Sequence, residues 1–183
     1  MRLLELCGTP ASGKNSILKE LQAQYKLQTV EANQYEQLHV EKIEVKILCS
    51  ILETYLLANQ LFSTRAKGTY DLIVFNRGLL DRIVWARYLS QRNPEYKEVT
   101  ADIENAIWNL GLLEKVDSFF ILLTDYHKIL ERRQDKYGSQ PSKTYNIVNP
   151  TTISHLNQIY MQLYEELNGK LPVFLINDLN QNL

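Results

Sequence analysis

The sequence predicts an α/β fold, a three-layer α/β/α sandwich around a five-stranded parallel sheet. Three observations predict it. The apolar run Leu3-Leu4-Glu5-Leu6-Cys7 leads through a glycine loop into helical periodicity, the strand–loop–helix order of a parallel unit. Tyr70-Asp71-Leu72-Ile73-Val74-Phe75 reads as an apolar strand without regular polar alternation, as expected of a strand covered on both faces. Short apolar runs alternate with helical patterns along the rest of the chain.

Taken in order, the first strand covers 3–7. Ile17, Leu18 and Leu21 recur at helical spacing between Asn15 and Tyr25, so the first helix lays one face on the sheet. Leu27-Gln28-Thr29-Val30-Glu31 is the second strand, with Glu31 at its carboxyl end. From Asn33 to about Lys67 neither proline nor glycine occurs, and Leu48, Ile51, Leu52, Tyr55, Leu56, Asn59 and Phe62 recur as an apolar stripe. This predicts one long helix, or two with a bend, ended by Gly68.

The third strand, 70–75, feeds into Asn76-Arg77-Gly78 and a helix from Leu79 to Ser90 that Asn93-Pro94 breaks. A further helix is expected from about Ala101 to Leu113, and a fourth strand from Ser118 to Leu123. Thr124-Asp125 caps the next helix, Tyr126 to about Tyr137. Residues 138–150 are polar, contain Pro141 and Pro150, and read as a mobile loop. Thr151 and Thr152 open a last helix through Leu167, and Pro172 to Ile176 is the fifth strand. There is no internal repeat or low-complexity tract.

A chain of 183 residues suits one well-buried domain rather than two. Residues 1–183 are therefore expected to form a single domain, with a lid region at about 132–149. With 20 basic against 21 acidic side chains, no global charge draws the chain to nucleic acid or an anionic membrane. Cys7 and Cys49 lack metal-ligand spacing and are expected to be buried and inert. No apolar run reaches signal or transmembrane length, so a cytoplasmic protein is expected.

The chemistry begins at Gly8-Thr9-Pro10-Ala11-Ser12-Gly13-Lys14, which has the G-x-x-x-x-G-K spacing of a phosphate-binding loop. Glycines let several N–H groups face one anion, and the following helix adds its positive end. Lys14 supplies a point charge for β/γ-phosphates. The next residue is Asn15, where Ser or Thr normally offers a hydroxyl to Mg²⁺; Ser16 follows. Either the Asn15 amide oxygen faces the metal, or water and nucleotide hold most of it. A strand-to-helix turn that binds nothing is the structural alternative.

Ligands of open parallel sheets sit beyond the carboxyl ends of the strands. That rule selects the loop, Glu31, Asn76-Arg77 and Asp125. Arg77 is placed to neutralise phosphate charge, against the alternative of a salt bridge to a helix. Arg132 and Arg133 lie where a lid would begin, with Lys136 nearby, one of the two to close over nucleotide and the other to face solvent, against the alternative of a plain charged helix face. Glu31 is the leading candidate for a general base and Asp81 its competitor; either would also serve as an ion-pair partner. Tyr35, Tyr55 and Trp85 are candidates to line an acceptor pocket, though aromatics at this spacing usually build core. His39, His127 and His155 have no ligand spacing.

Taken together, the loop at 8–15, the strand and Asn-Arg-Gly at 70–78, Leu-Glu-Arg-Arg at 130–133, and the last helix and strand resemble the P-loop nucleoside and nucleotide kinases, especially the deoxynucleoside and thymidylate kinase branch. The resemblance covers almost the whole chain. It implies the P-loop NTPase fold, ATP as donor with Mg, Glu31 as base, Arg77 as the arginine after the third strand, and Arg132 and Arg133 in the lid. Two positions depart from it. Asn15 and Asn76 replace groups that in the family help hold magnesium or its waters, which implies weakened or rearranged metal binding, or a chain that only binds nucleotide.

The expected function is thus an ATP-dependent kinase acting on a small nucleoside or nucleotide acceptor. One alternative is a polynucleotide 5′-hydroxyl kinase, disfavoured by the near-neutral charge; the other is a regulatory nucleotide-binding module with little turnover. No Asn-Lys-x-Asp pattern occurs, which disfavours a switch GTPase. The apolar first long helix would suit a helix-paired homodimer, as in the resembled kinases.

Overall fold

The computed structural model describes residues 1–31, 49, 52–54, 56–58, 60, 69–137 and 149–178, of which 31 and 133–137 by backbone alone. Five strands form one parallel sheet: β1 (Arg2–Gly8), β2 (Leu27–Glu31), β3 (Leu72–Asn76), β4 (Ser118–Thr124) and β5 (Val173–Asp178). Their spatial order is β2-β3-β1-β4-β5. β1 therefore lies at the centre, between β3 and β4. The helices are α1 (Lys14–Gln24), α2 (Leu79–Arg92), α3 (Lys97–Asn109), α4 (Tyr126–Tyr137) and α5 (Pro150–Leu167).

The two-residue strand period divides the core. Leu6, Leu72, Val74 and Leu122 pack with Leu18 of α1 on one face. Leu3, Cys7, Ile73, Phe75, Phe119, Ile121 and Leu123 pack on the other face with residues of α2, α3 and α5. Every residue of β3 is buried, as its apolar sequence requires. Arg87 of α2 ties the second layer together through Glu104 of α3 at 2.5 Å and Glu166 of α5 at 2.8 Å.

Three expectations change. The helix placed at Ala101–Leu113 runs instead from Lys97 to Asn109, because Asn93-Pro94 opens a 3₁₀ turn, Pro94–Tyr96, that leads straight into it. Gly111 then leaves the helical region at φ 58°. Residues 52–54 and 56–58 are helical, yet Leu52 and Leu56 of the expected apolar stripe face solvent, while Glu53, Thr54, Leu57 and Ala58 are buried. Leu57 and Ala58 join the second core, and Glu53 on the same side meets Arg82 of α2 at 2.8 Å, so this side of the helix faces inward. The rest of the expected 33–67 helix, including Tyr35 and Tyr55, and the loop at 138–148 lie outside the described residues. Cys7 is buried as expected, but Cys49 is half-buried. Among the described residues, no helix is long and apolar enough to cross a membrane.

Candidate functional site

The parallel register brings the ends of β1, β3 and β4 together, pairing Leu6 with Asn76 and Gly8 with Leu122. Gly8 is required where β1 becomes the loop: its φ is 134°, and a Cβ there would lie 2.0 Å from the Leu122 carbonyl oxygen. Thr9 then donates its backbone N–H to that same carbonyl at 3.2 Å. Ala11 and Gly13 take left-handed backbone at φ 57° and 102°, and Gly13 occupies the N-cap of α1.

Lys14 folds into this curl. Its Nζ donates to the carbonyls of Gly8 and Thr9, both at 2.8 Å, and to Ser12 Oγ at 3.0 Å. All three ammonium protons thus have an acceptor, although the side chain is buried. Burial, and then the charge of Arg77, bring its pKa down to about 7, while the Asp81 charge pulls the other way. Lys14, Arg77 and Asp81 therefore sit within each other's fields at the carboxyl edge of the sheet.

The turn from β3 into α2 is built by β1. Arg77 adopts left-handed backbone, φ 67°, and donates its N–H to Leu6 O at 2.9 Å. Gly78 follows as N-cap of α2, with no side chain to cap the helix. Glu5 of β1 does so from 74 residues away, accepting from Leu79 N at 2.8 Å, Leu80 N at 2.9 Å and Asp81 N at 3.3 Å. It is fully buried, and burial followed by the Asp81 charge pushes its pKa up to about 8 against the three N–H donors. Asp81 is itself buried and accepts from Tyr160 of α5 at 2.5 Å. Burial and the Asp81 charge together hold the Tyr160 phenol well above its usual range.

A third group lies over the loop. Arg132 of α4 donates to Ala11 O at 3.2 Å and pairs with Asp178, at the end of β5, at 2.6 Å. Lys128 shares the same carboxylate at 2.6 Å, and the two cations hold Asp178 below the usual carboxylate range, the hydrogen bond from Lys128 foremost. Asp125 caps α4 through Lys128 N at 2.9 Å. Beside α1, Asn76 Nδ2 donates to Asn15 Oδ1 at 3.4 Å, so the two asparagines of the motif are neighbours.

The structure thus gathers Gly8, Thr9, Ser12, Gly13, Lys14, Asn15, Arg77, Asp81 and Arg132 in one region. Pro10 continues the same loop, and Ser16 is exposed on the first turn of α1. The backbone of Glu31 pairs with Asn76, which puts it at the same edge; its side chain and that of Arg133 lie outside the described residues. Trp85 packs edge-on against Tyr88, 5.5 Å between centroids, beside the second core. Three residues escaped the sequence reading. Glu5 left a trace, a carboxyl inside an apolar run, whereas Tyr160 and Asp178 left none. Among the described residues no group of three or more His, Cys, Asp or Glu is arranged to hold a metal. Among the described residues, Asn15 and Ser16 offer neutral oxygens for a cation on the first turn of α1, whereas Glu5 caps α2 and Asp81 accepts from Tyr160. This set suits a magnesium ion that arrives with phosphate oxygens better than one held by protein alone.

No protein-family model matches the sequence, and no curated protein sequence matches it. Solved structures do match the fold. Deoxyadenosine kinase from M. mycoides with bound dATP superposes with a TM-score of 0.67 at 19% identity, covering 96% of this chain and 90% of that one. The same enzyme with the product dCMP and a flexible dCDP gives 0.64 at 16% identity, with 96% and 90% coverage. With bound dCTP it gives 0.62 at 17%, with 97% and 90%. At these identities the likeness is one of fold: a five-stranded parallel sheet flanked by helices, as in those kinases.

Proposed function

We propose that this chain is an ATP-dependent phosphotransferase that passes the γ-phosphoryl group to a nucleoside or nucleotide, deoxynucleosides being the first acceptors to try. The observation that carries the reading is the buried ammonium of Lys14, folded into a glycine loop with Arg77 and Arg132 converging on the same place. The fold of the deoxyadenosine kinase structures supports it. Phosphoryl transfer asks mainly for positioned positive charge around the moving group, and these three side chains provide it.

In this reading the loop N–H groups and Lys14 take the β/γ-phosphates, whose oxygens replace the carbonyls of Gly8 and Thr9 as partners of Nζ. Anionic phosphate restores the full positive charge that burial weakens. Arg77 faces the transferring group from the other strand end, and Arg132 crosses from α4. Bound magnesium would screen phosphate charge, with Asn15 and Ser16 as the oxygens to hold it. Glu31 serves as the base that orients the acceptor hydroxyl. Asp81, whose Oδ1 is already engaged by Tyr160, keeps negative charge near Lys14 and Arg77 instead. An ATP donor suits an enzyme that works in the cytoplasm.

The test is transfer of label from γ-labelled ATP with Mg²⁺ to nucleosides, nucleotides and 5′-hydroxyl oligonucleotides, with Lys14→Ala as control. The expected result is a labelled nucleoside or nucleotide that disappears in the control, with kcat/KM lowered about 100-fold or more. The neutral pair Asn15–Asn76 favours a second reading, a nucleotide-binding module with little turnover. Saturable ATP binding that Lys14→Ala abolishes, with no labelled product, would select it.

A further inference from the structure

We infer that Glu5 is a positioning residue of this site: from the central strand it holds the first turn of α2, and through that turn it sets Arg77 and Asp81 against the phosphate loop. The inference rests on the kinase reading for its effect on turnover, and on geometry for the rest.

A helix start leaves N–H groups without intrahelical partners, and a local Ser, Thr, Asp or Asn normally takes one of them. At α2 the local cap is Gly78, which takes none. Three N–H groups converge on Glu5 instead, at 2.8, 2.9 and 3.3 Å. Gly78 is what lets the turn close over that carboxyl, because a Cβ there would lie 2.7 Å from Glu5 Oε2. Capping alone does not explain so costly a choice. Leucines occupy positions 3, 4 and 6 of the same strand, and a fully buried carboxyl beside Asp81 is unfavourable where an apolar side chain would pack. What a carboxyl on β1 adds is a fixed relation between two chemical elements. β1 runs into the loop three residues later, and the turn it holds contains the left-handed Arg77, whose N–H is held by Leu6. The third N–H that Glu5 receives belongs to Asp81. Donor loop and α2 are thus referenced to one strand, through adjacent residues.

The experiment compares the full chain with Glu5→Gln, which is nearly isosteric, and with Gly78→Ala, which leaves Glu5 in place but drives a Cβ against its carboxyl. Four readouts are taken: thermal melting, ATP affinity by titration with a fluorescent ATP analogue, steady-state kinetics, and hydrogen exchange of the backbone at 76–84 with and without ATP. The expected result is a folded Glu5→Gln with ATP affinity within about threefold of the parent and kcat lowered about 30-fold. The drop should shrink to about threefold or less when Glu5→Gln is made in an Arg77→Ala background, since Glu5 acts through that turn. ATP should protect 76–84 in the parent and not in the variants. If Glu5→Gln melts lower but keeps kcat and the ATP-induced protection, Glu5 is a helix cap only and the inference falls. If the parent transfers no phosphate to any acceptor but the protection is present and lost in both variants, the kinase reading fails while the positioning role stands.

Discussion

The guanidinium of Arg132 meets the carboxylate of Asp178 at 2.6 Å while its other nitrogen reaches the carbonyl of Ala11 at 3.2 Å. A residue at the end of the edge strand thereby decides where the arginine of α4 rests. The pair is about 41% exposed on both sides, so its net strength is small and screened by salt. Asp178→Asn should raise the KM for ATP about threefold at low ionic strength, with the difference closing as salt is added. Arg132→Ala should raise it more and abolish the salt effect of the first change. Initial rates at two salt concentrations check both.

Gly8→Ala should be among the most damaging single changes. The new methyl carbon would sit 2.0 Å from Leu122 O, at a φ of 134° that alanine avoids. Overpacking and strain together predict a loss on the order of 3–5 kcal/mol. Denaturant unfolding of the two proteins measures it. Gly13→Ala meets nothing within 4 Å and should lose less, through its φ of 102° alone.

Two buried groups should tilt the pH dependence of stability in opposite directions. Glu5 binds its proton more tightly folded, with a pKa of about 8 against an ordinary 4.5. The stability it contributes is present below pH 4.5 and is lost as pH rises through 8. Lys14 binds its proton less tightly folded, about 7 against 10.5. Its contribution is present above pH 10.5 and is lost as pH falls through 7. Relative to the parent, Glu5→Gln should flatten the melting profile between pH 5 and 8, and Lys14→Ala should flatten it between about 7 and 10. Melting temperatures across that range decide both.

Asp81 and Glu31 should separate cleanly. Glu31→Gln should lower kcat and leave ATP affinity unchanged, as loss of a base does. Asp81→Asn should disturb affinity as well, because the charge of Asp81 reaches Lys14. Tyr160→Phe, which strips Asp81 of its hydroxyl donor, should destabilise the fold by about 1–3 kcal/mol and reproduce part of the Asp81→Asn kinetic effect. Equal losses of ATP affinity in Glu31→Gln and Asp81→Asn would overturn the assignment.

How much of this was legible in the sequence depended on distance along the chain. The strand, loop and helix at 2–24 were readable because glycine spacing is a local signal. So were β3 and β4, whose apolar runs mark strands buried on both faces. The start of α3 was displaced because Asn93-Pro94, which ends α2 as expected, also opens the turn that leads straight into the next helix. Leu52 and Leu56 were misjudged because periodicity counts apolar residues, whereas the buried side of this helix carries Glu53, paired with Arg82, beside Leu57 and Ala58. Glu5 showed only as a carboxyl inside an apolar run, and Tyr160 not at all, because their partners lie 74 to 79 residues away. Such pairings appear only once the sheet order is known.

The clamp of Arg87 on Glu104 and Glu166 limits how this molecule can adjust during a reaction cycle. α2, α3 and α5 bury their apolar faces in one core and share one guanidinium, so α2 cannot swing without uncovering that core and parting from both neighbours. That layer behaves as a fixed wall against which the front of the sheet is read. The opening that admits and releases nucleotide is then expected where α4 meets β5, through half-exposed charges that water can replace at little cost.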